Sequence, residues 1–322
     1  MQNQFIFFCP NIGNELYLKK EISLKWPHLH LAYSRPGFLT YKNSRTFFSL
    51  RELSEWDVSF SRRHGCCYGP TNQLSLEADL KKLRLQLDCG ESALHIWDVQ
   101  GSSQSEKGTT LAGQIILNVI QVKDEEFWLG AHFQNDLSSF FPGGFPPIKL
   151  PSASPSRAYL KIAEVLDRFP IELEGKEIFM EIGSSPGGAT YFLLNQGHRV
   201  IGIDPGEMHS ICTSHQKFTH YKTPIQDFKK SDLNQLGAEK IDWIAVDMNL
   251  DATFSIQQSL RVAGYVKNHL KGMIFTLKIP QAQQVEKISS YINRIQKFGF
   301  KTVLTGQVPD HRKEFTLIAL KD

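Results

Sequence analysis

A chain of 322 residues, 41% hydrophobic and 21% charged, is long enough for two or three packed domains and has the ordinary composition of a soluble globular protein. Its apolar runs fall short of the roughly 20 residues that cross a bilayer, and "MQNQFIFFCP" lacks the flanks of a signal peptide, so it reads as a buried strand. Net charge is +3, but basic and acidic residues balance at 15 each over residues 1–150, so global charge does not mark a nucleic-acid binder.

Five cysteines, with Cys66 and Cys67 adjacent and no CxxC pair, fit reduced thiols in a cytoplasm and no metal site. Along the first 139 residues, "QFIFF", "GFLTY", "ALHIWDV" and "EFWLGAHF" read as strands. "NELYLKKEISLKW", "SLEADLKKLRLQLDC" and "TTLAGQIILNVIQV" read as helices. This is an α+β region of two small units that meet between residues 45 and 70. Arg62-Arg63-His64 and Lys81 to Arg84 are candidate phosphate contacts, with a solvated face as the alternative. Residues 140–157, with five prolines and two glycines, form a linker.

Beyond the linker, "SPSRAYLKIAEVLDRF" is a helix with Ser154 as N-cap and Pro155 at its first position. Arg157, Lys161, Glu164 and Arg168 share one stripe of it, open to RNA phosphates or simply to water. Strands "EIFMEIG", "RVIGID", "FTHYK", "IDWIAVD" and "GMIFTLKI" then alternate with helical segments, which predicts a mostly parallel sheet covered on both faces. The last two, "FKTVLTGQV" and "EFTLIALKD", are separated only by "PDHRK", too short for a parallel crossover, and make an antiparallel hairpin. A parallel core closed by such a hairpin is the strand plan of class I methyltransferases that use S-adenosyl-L-methionine.

The chemistry collects at the carboxyl ends of those strands, where open α/β sheets hold ligands. "GSSPGG" places Gly183, Ser185, Pro186, Gly187 and Gly188 at the first strand-to-helix turn, without spelling the GxGxxG dinucleotide fingerprint. Asp204 ends the second strand 21 residues after Gly183, placed to accept ribose hydroxyls or else to cap the next helix. Asp227 follows the third strand, as a cofactor contact or a surface acid. Lys161, Asp247, Lys278 and Glu314 fall at four further helix and strand ends.

This Lys-Asp-Lys-Glu set together with "SSPGG" resembles the FtsJ-like RNA 2′-O-ribose methyltransferases. The likeness is closer to the bacterial enzymes of that group that methylate a cytidine of 23S rRNA and carry an amino-terminal THUMP domain. It rests on "FFPGGFPPIKLPSASPSRAYLKIAE", "VDM", "TLKIP" and "HRKEFTLIAL", and is strong over residues 140–322 and loose over residues 1–139.

The resemblance implies a ferredoxin-like unit over residues 1–55, a THUMP-like RNA-binding unit over 56–139, and a Rossmann-like methyltransferase domain over 158–322. It further implies S-adenosyl-L-methionine bound by the glycine turn, Asp204, Asp227 and Asp247, an RNA partner, no metal, and a cytoplasmic monomer. Lys278 is then the general base, a fraction of it neutral so that it can accept a proton, with Asp247 and Glu314 orienting the two lysines. The chain departs from the family where Ala189 replaces an aromatic, where Pro224 replaces an acidic cofactor contact, and where the segment from Phe228 to Asp247 is longer. A noncatalytic RNA binder with a decayed methyltransferase domain, or a methyltransferase for a non-RNA substrate, are the other readings.

Overall fold

In a computed structural model of the chain, residues 4–44, 48–89, 93–103, 111–235 and 240–321 are described. They divide into two compact units. The first takes in Met1–Pro147, Asp167–Pro170 and Gly306–Arg312; the second takes in Ile148–Leu166, Ile171–Thr305 and Lys313–Asp322.

The first unit contains β1 (Phe5–Cys9), α1 (Glu15–Lys25), β2 (Leu29–Arg35), β3 (Phe38–Asn43), α2 (Leu50–Ser54), β4 (Arg63–Thr71), α3 (Leu76–Leu87), β5 (Leu94–Asp98), β6 (Ile115–Lys123) and β7 (Glu126–Phe133). Its strands form one sheet in the order β2-β3-β1-β4-β7-β6-β5, so the strands before and after residue 55 share a single ladder through β1 and β4. β1 reads as a continuous apolar run because it lies inside the sheet with both faces covered.

Two readings of this region are corrected. "TTLAGQIILNVIQV" is not a helix: its described part leads into β6, while Thr109 and Thr110 lie outside the described residues. An apolar run buried on both faces of a sheet gives the same spacings as a buried helix, and Ile115, Ile116, Val119, Ile120 and Val122 favour the strand. Nor do Arg62 and Arg63 reach phosphates, since each is only 2% exposed. Arg63 donates to the carbonyls of Ser139 and Phe141, and the Arg62 guanidinium lies 3.9 Å from the Phe145 ring centre. Lys81 and Lys82 of the second cluster are exposed on α3.

The second unit holds α4 (Ala158–Arg168, its last two residues counted with the first unit), β8 (Ile178–Ile182), α5 (Gly188–Asn195), β9 (Arg199–Ile203), α6 (Ser210–Thr213), β10 (Phe218–Tyr221), α7 (Lys230–Gln235), β11 (Trp243–Val246), α8 (Ala252–Val266), β12 (Gly272–Lys278), α9 (Ile288–Phe298), β13 (Thr302–Gly306) and β14 (Glu314–Leu320). The sheet order is β10-β9-β8-β11-β12-β14-β13. β8, β9, β10, β11 and β12 pair in parallel, β14 runs antiparallel to β12, and β13 lies beside β14 at the edge. The expected parallel core with its antiparallel closing strand is present. β8 and β11 sit side by side at its centre, so their carboxyl ends open onto the point where successive crossovers diverge.

α4 starts at Ala158, later than Ser154 and Pro155, and Ser156 Oγ accepts from the Ala158 N–H at 3.3 Å. Three residues of its polar stripe are turned away from RNA, while Arg157, just ahead of the helix, is exposed. Glu164 is buried, Arg168 donates to the carbonyls of Ser61 and Gln307, and Lys161 is committed to carboxylates.

Candidate active site

The turn after β8 is shaped by what stands next to it. Gly183 has φ +87°, and a Cβ there would fall 2.5 Å from the Asp247 carbonyl oxygen, so glycine lets the ends of β8 and β11 approach. A Cβ on Gly188 would meet Ser156 Oγ at 2.2 Å and its carbonyl at 2.7 Å, so this glycine seats α5 against the start of α4. These two glycines serve contact between protein segments, a physical reason that their spacing alone does not reveal.

The loop is laced to the one that follows β9. Ser185 Oγ donates to the Glu207 carbonyl at 2.8 Å, and the His209 N–H donates to the Pro186 carbonyl at 3.0 Å. The Cys212 thiol donates to the Gly187 carbonyl at 3.4 Å. Asp204 stands between these loops, its Oδ1 accepting from the Gly206 N–H at 2.7 Å. Asp204 does not cap the next helix, since α6 begins at Ser210 with His209 as its N-cap; its bond to Gly206 closes a turn of the loop and fixes the carboxylate's rotation.

A cleft of about 570 Å³ opens at these strand ends. Gly183, Ser185, Asp204, Asp247 and Lys278 all line it. Asp227 does not: it is exposed at the end of a short 3-10 turn, Ile225–Asp227, and Pro224, Ile225 and Gln226 face the cleft instead. Pro186, Gly187 and Gly188 lie behind the lining, in the turn itself.

At one end of the cleft the four charged residues meet. Lys161 Nζ is 3.0 Å from Asp247 Oδ2 and 3.0 Å from Glu314 Oε1. Burial opposes the charge of Lys161, yet the two carboxylates outweigh it and hold the ammonium above the ordinary lysine range. Burial also pushes the Glu314 carboxyl up, against the pull of Lys161. Lys278 is held differently. Its Nζ stands 3.7 Å from Asp247 Oδ1, beyond hydrogen-bond reach, and donates to Asn249 Oδ1 at 3.3 Å. Glu314 is its register partner across β12 and β14.

Two further lining residues escape a reading built on family positions. Glu181 of β8 is 3% exposed and accepts from the Thr190 hydroxyl, and burial pushes its carboxyl up to about 8. A lone acid inside the apolar strand "FMEIG" is the signal that could have found it, because such residues are rarely buried without a partner. Asn249 carries no comparable signal. With Glu181, Asp204 and Asp247 on its walls, the cleft suits a cationic ligand with hydroxyl groups, and the residues present fit S-adenosyl-L-methionine.

Comparison with known proteins agrees with this geometry. Residues 155–306 match the family of FtsJ-like methyltransferases. The ribosomal RNA large subunit methyltransferase M of Actinobacillus pleuropneumoniae serotype 5b is 28% identical over 209 residues, 60% of this chain and 54% of that protein. Its counterpart in Aliivibrio salmonicida is 27% identical over 214 residues, 62% of this chain and 55% of that one. The chain thus spans about half the length of the curated relatives it matches. Among solved structures, Aeropyrum pernix fibrillarin with natively bound S-adenosyl-L-methionine is 16% identical, covering 66% of this chain and 85% of that one, at a TM-score of only 0.38. Sheet order, charged cluster and family match agree, and residues 155–306 are an FtsJ-like methyltransferase domain.

Proposed function

We propose that the protein transfers a methyl group from S-adenosyl-L-methionine to a ribose 2′-hydroxyl of RNA; the names of the relatives support large-subunit ribosomal RNA as the substrate, and the resemblance of the Lys-Asp-Lys-Glu set supports a cytidine of 23S rRNA. The observation that carries the assignment of roles is the unequal treatment of the two lysines. Lys161, bridged to two carboxylates, is locked as an ammonium and organises Asp247 and Glu314. Lys278, with no carboxylate in hydrogen-bond reach, is the amine that takes the hydroxyl proton. The cofactor supplies an electrophilic methyl group on a sulfonium. Asp204 Oδ2, Glu181 and the backbone around Ser185 bind and orient it, while the buried ends of β8 and β11 keep water from the far side of the cleft.

Contact with RNA in the first unit falls to exposed groups, because Arg62 and Arg63 are buried. Lys82, Tyr33, Tyr68 and Trp128 line a groove of about 640 Å³ there and offer one cation with aromatic surfaces for bases. On this reading residues 56–139 act as the THUMP-like part, and the protein works as a cytoplasmic monomer without a metal. The test is methyl mapping. Ribosomal RNA from cells lacking the gene should accept labelled methyl from the purified protein at a ribose 2′-oxygen in 23S rRNA, and label on a base or on protein would overturn the assignment.

A further inference from the structure

Asn249 is exposed, yet both sides of it are fixed. Met248 is buried at 6% exposure, and Asp251 caps α8 by accepting from the Thr253 and Phe254 N–H groups at 2.8 and 3.3 Å. The short loop between them therefore holds the Asn249 carboxamide against Lys278 Nζ, at 3.3 Å, on the wall of the cleft. On the neighbouring side Asp247 Oδ1 is buried, has no hydrogen-bond partner among the described residues, and lies 3.7 Å from the same nitrogen.

A neutral amine has two N–H bonds and one lone pair. Asn249 Oδ1 lies within hydrogen-bond reach of Lys278 Nζ, and Asp247 Oδ1 lies beyond it. We propose that Asn249 is a positioning residue for methyl transfer: it accepts one N–H bond of the neutral Lys278 amine and so limits the amine's rotation, which keeps the lone pair turned toward the substrate hydroxyl. This rests on the reaction proposed above. The balance is then complete. The hydroxyl proton moves to the Lys278 lone pair, the oxygen electron pair forms the bond to the methyl carbon, and the sulfur–carbon bond breaks with its electrons left on sulfur as a neutral thioether. Lysine leaves the step as an ammonium, whose third proton is lost to water.

A neutral amide suits this position better than a second carboxylate. The titratable groups facing Lys278 are Asp247 from β11, Glu314 from β14, Lys161 from α4, and Glu181 and Asp204 across the cleft. Another negative charge at 3.3 Å would favour the ammonium and empty the reactive form.

The test is single-turnover transfer of labelled methyl to ribosomal RNA from cells lacking the gene, measured from pH 6 to 10 for the wild type, Asn249→Ala and Asn249→Asp, beside calorimetric titration with S-adenosyl-L-methionine. Asn249→Ala should be about 10- to 100-fold slower at every pH with unchanged cofactor affinity, because the lone pair is no longer aimed. Asn249→Asp should reach its half-maximal rate about one pH unit higher than wild type and regain most of its rate at the alkaline end. An Ala variant within twofold of wild type, an Asp variant with an unshifted profile, or loss of cofactor binding in the Ala variant would each overturn the assignment of Asn249 alone. A wild type that transfers no methyl group to RNA would remove the proposed function and this inference together.

Discussion

Lys161 Nζ lies 3.0 Å from Asp247 Oδ2, while the other oxygen of the same carboxylate is 3.7 Å from Lys278. One acid therefore distinguishes the two lysines. Replacing each by Met should separate a structural from a chemical loss. Lys161→Met leaves Asp247 and Glu314 facing each other without their shared cation and should cost about 3 kcal/mol of stability, read from the urea midpoint. Lys278→Met removes only a loose, partly exposed pair and should change stability by less than about 1 kcal/mol. Its single-turnover methyl transfer should nevertheless fall about 10²- to 10⁴-fold, with cofactor titration unchanged. A Lys278→Met variant that methylates at the wild-type rate would make this lysine structural.

Asp204 gives a second, separate reading of the cofactor site. Its Oδ1 is held by the Gly206 N–H, so the carboxylate cannot swing away and Oδ2 is presented to a diol. Asp204→Ala should weaken S-adenosyl-L-methionine by about 1.5–3 kcal/mol. Asp204→Asn keeps an acceptor for Gly206 and should retain the loop but recover only part of the affinity. Equal affinity of wild type and Ala in calorimetry would confine Asp204 to the loop turn with Gly206.

What could be read in the sequence follows from burial. The central parallel strands β8, β11 and β12 are buried on both faces, so each appears as an apolar run with turn residues at its ends; Asp247, Lys278 and Glu314 could be placed at strand ends and Lys161 on the helix before β8. β6 has the same two-sided burial, and its period reads as helical. β4, "RHGCCYGPT", hides behind its glycines and charges. A Cβ on Gly65 would fall 2.3 Å from the Ala131 carbonyl, so the glycine that looks like a loop is demanded by the sheet. Asp227 was misplaced for a different reason: a three-residue 3-10 turn decides which side chain enters the cleft, and Gln226 does.

Acid should loosen the first unit through His64, His95 and His132. Burial, aided by Arg63, holds His95 down at about 3, and burial holds His64 at about 4; His132 is lowered as well. Neither ring nitrogen of His95 has a hydrogen-bond partner among the described residues. These imidazoles are neutral in the fold but take protons near pH 6.5 when unfolded. Stability is therefore full above about pH 6.5 and declines as pH falls toward 4, by up to about 1.4 kcal/mol per pH unit for each histidine. Four of the five tryptophans, Trp26, Trp56, Trp97 and Trp128, lie in this unit, so fluorescence follows its unfolding. The urea midpoint should be flat from pH 8 to 7 and drop by pH 5, with a smaller drop in His95→Leu. An identical drop in that variant would exclude His95 as a source.

Glu181 carries the opposite sign. Its carboxyl is raised to about 8, first by burial and further by Asp247 and Asp204, against the hydrogen bond from Thr190. The folded state thus binds a proton that the unfolded state releases near pH 4.5, and this site's contribution is full below that value and is lost as pH rises toward 8. Glu181→Gln, which keeps an acceptor for Thr190, should therefore raise stability at pH 8 by an amount on the order of 2 kcal/mol and leave it unchanged at pH 4. A cationic ligand reverses the balance, because it favours the carboxylate. Binding of S-adenosyl-L-methionine at pH 7 should release close to one proton and tighten as pH rises from 6 to 8. Calorimetry in two buffers of different ionisation enthalpy counts that proton directly. The Gln variant should release none, bind more weakly by about 1.5–3 kcal/mol, and lose the pH dependence. If wild type and Gln show the same proton count and affinity, Glu181 is a packing residue of β8 and takes no part in holding the cofactor.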